Sequence, residues 1–145
     1  MYYNSTFGEL YKQEFTNVES ENKLFRHPYD TGISAGFRFA AELIAWVSGP
    51  WAMASISKWL VLPTLIALVA LPSIFSTIND KRNVVVATPG AIRVLIEFFL
   101  YLVACIAPWI VWSQSTSITA VIIVVVTIFL GVKRIIWLLK GAPSE

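Results

Sequence analysis

Two stretches decide the fold: FRFAAELIAWVSGPW at residues 37–51 and IRVLIEFFLYLVACIAPW at residues 92–109. Each is an apolar run that opens with an arginine and a glutamate four residues apart, Arg38 and Glu42 in one, Arg93 and Glu97 in the other. Each run reaches a Pro-Trp step, Pro50-Trp51 and Pro108-Trp109. A charged side chain at the centre of a helix in the lipid core costs ~2.5–3.5 kcal/mol on insertion scales, and less near the interface. A chain that places the same two charges twice therefore has a structural or functional use for them.

Outward from these stretches, the composition agrees with a membrane setting. Of 145 residues 57% are hydrophobic and 14% charged, against about 25% charged in soluble domains. Four apolar runs emerge, at about 37–56, 59–78, 91–112 and 118–139. Each is close to the ~20 residues a helix needs to cross the hydrocarbon. Backbone groups in lipid must be satisfied internally, so the runs read as helices. The expected fold is an all-α membrane protein with four transmembrane helices. Ser57 and Lys58 link the first two, and residues 113–117 link the last two, which makes two tight antiparallel hairpins. The middle link, 79–90, carries Asp80, Lys81 and Arg82 and ends on Thr88-Pro89-Gly90, where Pro89 suits entry into the third helix. The Arg and Glu repeat at an offset of 55 and the Pro-Trp steps at 58. Two-span units insert the same way up, so the hairpins read as parallel repeats.

Lys12, Lys23, Arg26, Lys81, Arg82, Lys133, Arg134 and Lys140 fall on one side of this topology, and Lys58 on the other. The positive-inside rule then expects both termini and the middle link in the cytoplasm. Trp51, Trp59, Trp109 and Trp112 mark an outer interface and Trp137 an inner one. Residues 1–32 form a separate polar arm with five acids against three bases, and 33–145 form the membrane domain. Within the arm, Thr6-Phe7-Gly8-Glu9 has capping-box spacing, and Phe7, Leu10, Tyr11, Phe15 and Val18 recur on one helical face. Surface-seeking helices are basic and this one is acidic, so the arm reads as a cytoplasmic amphipathic segment that docks on protein.

Several function classes lose support. The bases form no stripe that could track phosphates, so nucleic acid is not an expected partner. The single histidine, His27, lies outside the runs, Met53 stands alone, and Cys105 is the only cysteine. Haem, iron, copper and zinc would need ligand sets that this pattern lacks, so no metal or cofactor is expected. No intramembrane catalytic dyad appears, since Asp30 and Asp80 lie outside the runs and no histidine accompanies Ser48 or Ser73. The chain therefore reads as non-enzymatic, with no catalytic residue. Arg38, Glu42, Arg93 and Glu97 carry two readings. They form an ion-pair network that fixes helix packing, either at i, i+4 or crosswise as Arg38–Glu97 and Arg93–Glu42. Alternatively, Glu42 and Glu97 are exchanging carboxylates of a proton- or cation-coupled path.

The string Phe37-Arg38-Phe39-Ala40-Ala41-Glu42-Leu43, Pro63 and Pro72, and Thr88-Pro89-Gly90-Ala91-Ile92-Arg93-Val94-Leu95-Ile96-Glu97 resemble the YrdB-like family of small bacterial four-helix membrane proteins. The likeness covers roughly residues 33–139; the acidic arm and the Gly49-Pro50 step depart from it. It implies the four-helix topology and a bacterial plasma membrane, and no particular chemistry. The expected role is a non-catalytic accessory subunit of a larger membrane complex, a respiratory complex being one host that fits. The alternative is a small transporter or channel, a homo-oligomer working through Glu42 and Glu97. Expected partners are the lipid bilayer and larger membrane subunits, or a second copy of the chain.

Overall fold

A computed structural model of the chain describes Tyr29 and residues 31–77 and 85–142. The arm face of Phe7, Leu10, Tyr11, Phe15 and Val18 lies outside these residues, as do His27, Asp80, Lys81 and Arg82. The described part is mostly helical. Helix α1 spans Gly32–Ala54. It starts five residues before the apolar run because Thr31 and Ser34 cap it reciprocally. The Ser34 N–H donates to Thr31 Oγ1 at 3.2 Å, and the Thr31 N–H donates to Ser34 Oγ at 3.0 Å. Two orphan donors of the first turn are thereby satisfied. The expected boundary between residues 32 and 33 thus falls inside that turn.

A 3-10 turn at Lys58–Leu60 leads into α2, Val61–Ile74. The second run was expected to stay helical to residue 78; instead the chain becomes extended at Phe75. Pro72 sits in the last turn of α2, where its ring and missing N–H weaken the helix. Strand β1, Phe75–Ser76, then pairs in parallel with β2, Val86–Ala87, with Phe75 opposite Val86 and Ser76 opposite Ala87. This two-residue ladder is an addition to the expected all-α fold. Helix α3 spans Gly90–Ile106, and the short α4, Pro108–Val111, follows with Pro108 in its first turn. Helix α5, Gln114–Leu139, starts four residues earlier than the apolar run because Ser113 caps it. It ends where Gly141 takes a φ of +88°. There the N–H groups of Gly141 and Ala142 return to the carbonyls of Leu138 and Trp137. A left-handed residue satisfies the last helical carbonyls in this way.

Two helical stretches, Gly90–Val111 and Gln114–Leu139, are long and apolar enough to cross a membrane. The stretch Lys58–Ile74 is apolar and 17 residues long. The interior is lined by small side chains: Ala41, Ala45, Ser48, Gly49 and Ala52 are buried on α1, and Ala104 of α3 and Val124 of α5 pack in one cluster with Ala41 and Ala45. Small residues let helix backbones approach closely. Many large apolar side chains point the other way. Val47, Leu62, Leu95, Leu102, Val125 and Phe129 are all exposed, while Arg93, Glu97 and Arg134 are buried. A water-soluble protein shows the opposite distribution of charge. Trp137, expected at an interface, is buried, with its ring 6.4 Å from that of Tyr29.

Two helical glycines, Gly36 and Gly90, should behave oppositely. A Cβ on Gly90 would collide with the backbone carbonyl of Leu138, whereas one on Gly36 meets nothing within 4 Å. Gly90→Ala should destabilise by about 2 kcal/mol or more, since backbone has to move. Gly36→Ala should stabilise by about 0.5–1 kcal/mol through helix propensity. Thermal unfolding of the two variants in mild detergent checks both signs.

Candidate functional site

The centre of the fold is a buried cluster in which one carboxylate meets two guanidinium groups. Glu97, one turn into α3 from Arg93, has a side chain 3% exposed. Nη1 of Arg134, from α5, donates to both of its oxygens, at 2.8 and 2.9 Å. Nε of Arg93 lies 3.4 Å from Oε1 of the same carboxylate, the expected i, i+4 contact. The Arg93 and Arg134 side chains are 2% and 5% exposed. Charges this deep are stable only when paired and hydrogen-bonded; Arg134 hydrogen-bonds the carboxylate, whereas the Arg93 Nε contact is ionic and Arg93 makes its hydrogen bonds through Nη1.

Arg93 has a second task. Its Nη1 donates to the carbonyls of Pro72 at 3.0 Å and Phe75 at 3.1 Å. These carbonyls end α2, where no helical donor remains. A cation at a helix C-terminus also complements the macrodipole. Arg93 therefore ties α3 to the end of α2 while it neutralises part of Glu97.

Proline at position 72 also frees the Leu68 carbonyl, four residues back, from its helical donor. The indole N–H of Trp46 in α1 donates to that carbonyl at 3.1 Å. From α5, the single hydroxyl proton of Thr127 is shared between the Ile123 carbonyl of the same helix at 2.7 Å and the Phe37 carbonyl of α1 at 3.0 Å. The polar ties thus run α1 to α2, α2 to α3, α3 to α5 and α5 back to α1.

Arg38 lines a cavity of about 10 Å³ with Glu97, Arg134, Tyr29, Ser34, Tyr101 and Thr127. That space is about one water molecule's worth. Glu42 is half-buried and within electrostatic reach of Tyr101, which Glu97, Arg38 and Arg134 also influence. Arg38 and Glu42 are themselves engaged in polar or electrostatic contacts. The four charges singled out in the sequence therefore gather around one region, with Arg93 and Glu97 in direct contact. Among the described residues, no three His, Cys, Asp or Glu side chains are grouped to hold a metal ion.

Arg134, Thr127 and Trp46 supply interhelical ties that sequence reasoning misses. Arg134 stands between Lys133 and Lys140 and reads as another interface base. The signal is its phase: Thr127, Gly131, Arg134 and Leu138 follow one another by four, three and four residues, one stripe of a helix. Trp46 carries a signal only in combination with Pro72, whose freed carbonyl demands some donor.

That dependence is testable. Trp46→Phe keeps the ring but strands the Leu68 carbonyl, and should cost about 1–3 kcal/mol. Pro72→Ala restores a helical N–H and should recover part of that loss in the Trp46→Phe background while giving little in the wild type. Unfolding midpoints of the four proteins in mild detergent measure this; equal effects of Pro72→Ala in both backgrounds would contradict the pairing. Comparison with protein families, curated proteins and solved structures finds no match to this chain.

Proposed function

We propose that the chain is a four-span membrane protein of a bacterial plasma membrane and serves as a non-catalytic accessory subunit of a larger complex. Both termini and the middle link are cytoplasmic in this reading, by the distribution of bases. Helix α1 has 23 residues, about 34 Å at 1.5 Å per residue. The 17 residues of Lys58–Ile74 stand at the lower end of the ~17–25 that span a bilayer. Large apolar side chains facing outward and charges facing inward support lipid as the surrounding solvent. The repeated Arg/Glu and Pro-Trp motifs support two hairpins inserted the same way up, and the YrdB-like resemblance belongs to the same proposal.

The observation that carries the accessory role is the closed space around Glu97. Both oxygens of Glu97 are occupied by Arg134, and the space beside them holds about one water. A coupling carboxylate must exchange partners along a polar path. Glu97 instead sits in a lock between α3 and α5. What remains available is the outside: α2 has only Thr64 and Ser73 as polar side chains, and Val125 and Phe129 of α5 are exposed. Such faces suit neighbouring helices as well as lipid. The acidic arm would add a docking element on the cytoplasmic side.

Purification of the tagged native protein in mild detergent, followed by native mass spectrometry, checks this role. Stoichiometric recovery with larger membrane subunits is expected, and should be lost on deletion of residues 1–23. Recovery alone or only as a homo-oligomer, with proteoliposome flux abolished by Glu97→Gln in a folded protein, would replace the accessory role with transport.

A further inference from the structure

The repeated motif carries a third position. Eight residues after each arginine stands an aromatic side chain with a polar hydrogen to donate, Trp46 in α1 and Tyr101 in α3. The two donors meet different surroundings. Trp46 finds the Leu68 carbonyl, which Pro72 has freed. Helix α5, which packs beside Tyr101 through Val124, contains no proline. Its interior carbonyls keep their helical donors, so Tyr101 meets no equivalent acceptor there.

Tyr101 is nevertheless 5% exposed, and a buried phenol normally finds a hydrogen-bond partner. Glu97, Arg38 and Arg134 act on it only through space, with no hydrogen bond to any of them. The phenol lines the cavity of about 10 Å³ that Glu97, Arg38, Ser34, Thr127 and Gly131 also border. Other groups on that wall are committed. Ser34 Oγ bonds Thr31, and the Thr127 proton serves Ile123 and Phe37. Glu97 has capacity left: its Oε2 accepts from Arg134, and a carboxylate oxygen can accept twice. Tyr101 follows Glu97 by four residues, on the same face of α3.

A donor and an acceptor thus border one space of the size of a water molecule, and the two are not bonded to each other. The carboxylate on one wall repels an anion, and Arg38 and Arg134 on the others repel a cation. A neutral ligand fits both. We propose that this cavity binds one water molecule, which accepts from the Tyr101 phenol and donates to Oε2 of Glu97. Tyr101 is then a positioning residue, which through the water fixes the carboxylate that Arg134 holds. The site does not depend on the accessory role above.

Gly131 provides the test. It lines the cavity, and a Cβ built on it meets only Ile135 Cδ1, at 4.0 Å. Gly131→Ala therefore places a methyl group in the space assigned to the water. Gly131→Ala, Tyr101→Phe and the double variant are compared with the wild type by thermal unfolding of the full chain in mild detergent. Tyr101→Phe should lower Tm by at least about 2 °C. Gly131→Ala should lower it as well, although alanine is the better helix former. In the Tyr101→Phe background the loss from Gly131→Ala should shrink or become a gain. A crystal structure of the wild type at about 2 Å or better should show one peak within hydrogen-bond distance of the Tyr101 and Glu97 oxygens. The same peak should be missing from Gly131→Ala. Four results would overturn the proposal: no peak in the wild type, a direct Tyr101–Glu97 hydrogen bond, a Tm that changes when gluconate replaces chloride, or an equal gain from Gly131→Ala in both backgrounds. The third would assign the space to an anion, and the fourth is what a dry cavity gives.

Discussion

The contact of Arg134 with Glu97 joins the last helix to the third, and the other interhelical ties complete a circuit around it. In the proposed membrane setting no hydrophobic force would press one helix against another, leaving packing of small residues and interhelical hydrogen bonds to do it. Here the circuit is Trp46 to Leu68, Arg93 to Pro72 and Phe75, Arg134 to Glu97, and Thr127 to Phe37. The small-residue face of α1 lets the backbones come close enough for these side chains to reach. Arg93 serves two links, since the same guanidinium touches Glu97 and holds the end of α2.

The prolines belong to this scheme. Pro72 opens a carbonyl in α2 and weakens its last turn, and Trp46 and Arg93 supply the missing donors. A break that would be costly in lipid alone becomes the point where three helices are joined. In the proposed accessory role, the locked Arg134–Glu97 pair and the water-sized space beside it would leave the outer faces and the ends of the bundle for partners.

Much of this was legible in the sequence, and the limits have physical causes. Arg93 and Glu97 stand out because a charge inside an apolar run has few explanations. The helical runs stand out by length alone. Arg134 is obscured by Lys133 and Lys140, because a base near the end of a run also reads as an interface anchor. Helix ends are set by single hydrogen bonds, such as Thr31 with Ser34 and Ser113 with Thr116, which hydropathy does not weigh. The Phe75–Ser76 and Val86–Ala87 ladder is too short to carry a periodic signal. Trp46 and Leu68 are 22 residues apart, so their bond is a tertiary fact that becomes visible only when Pro72 is asked where its carbonyl partner goes.

The most direct measurement is a double-mutant cycle on Glu97→Leu and Arg134→Leu, read by reversible unfolding in mild detergent. Either single change leaves a buried charge without its main partner and should cost about 3–5 kcal/mol. Because each loss is largely that of the stranded partner, the double variant should be more stable than the sum of the singles predicts, by about 1–3 kcal/mol. Additive effects, or single variants as stable as the wild type, would contradict the claim that this pair holds the helices together.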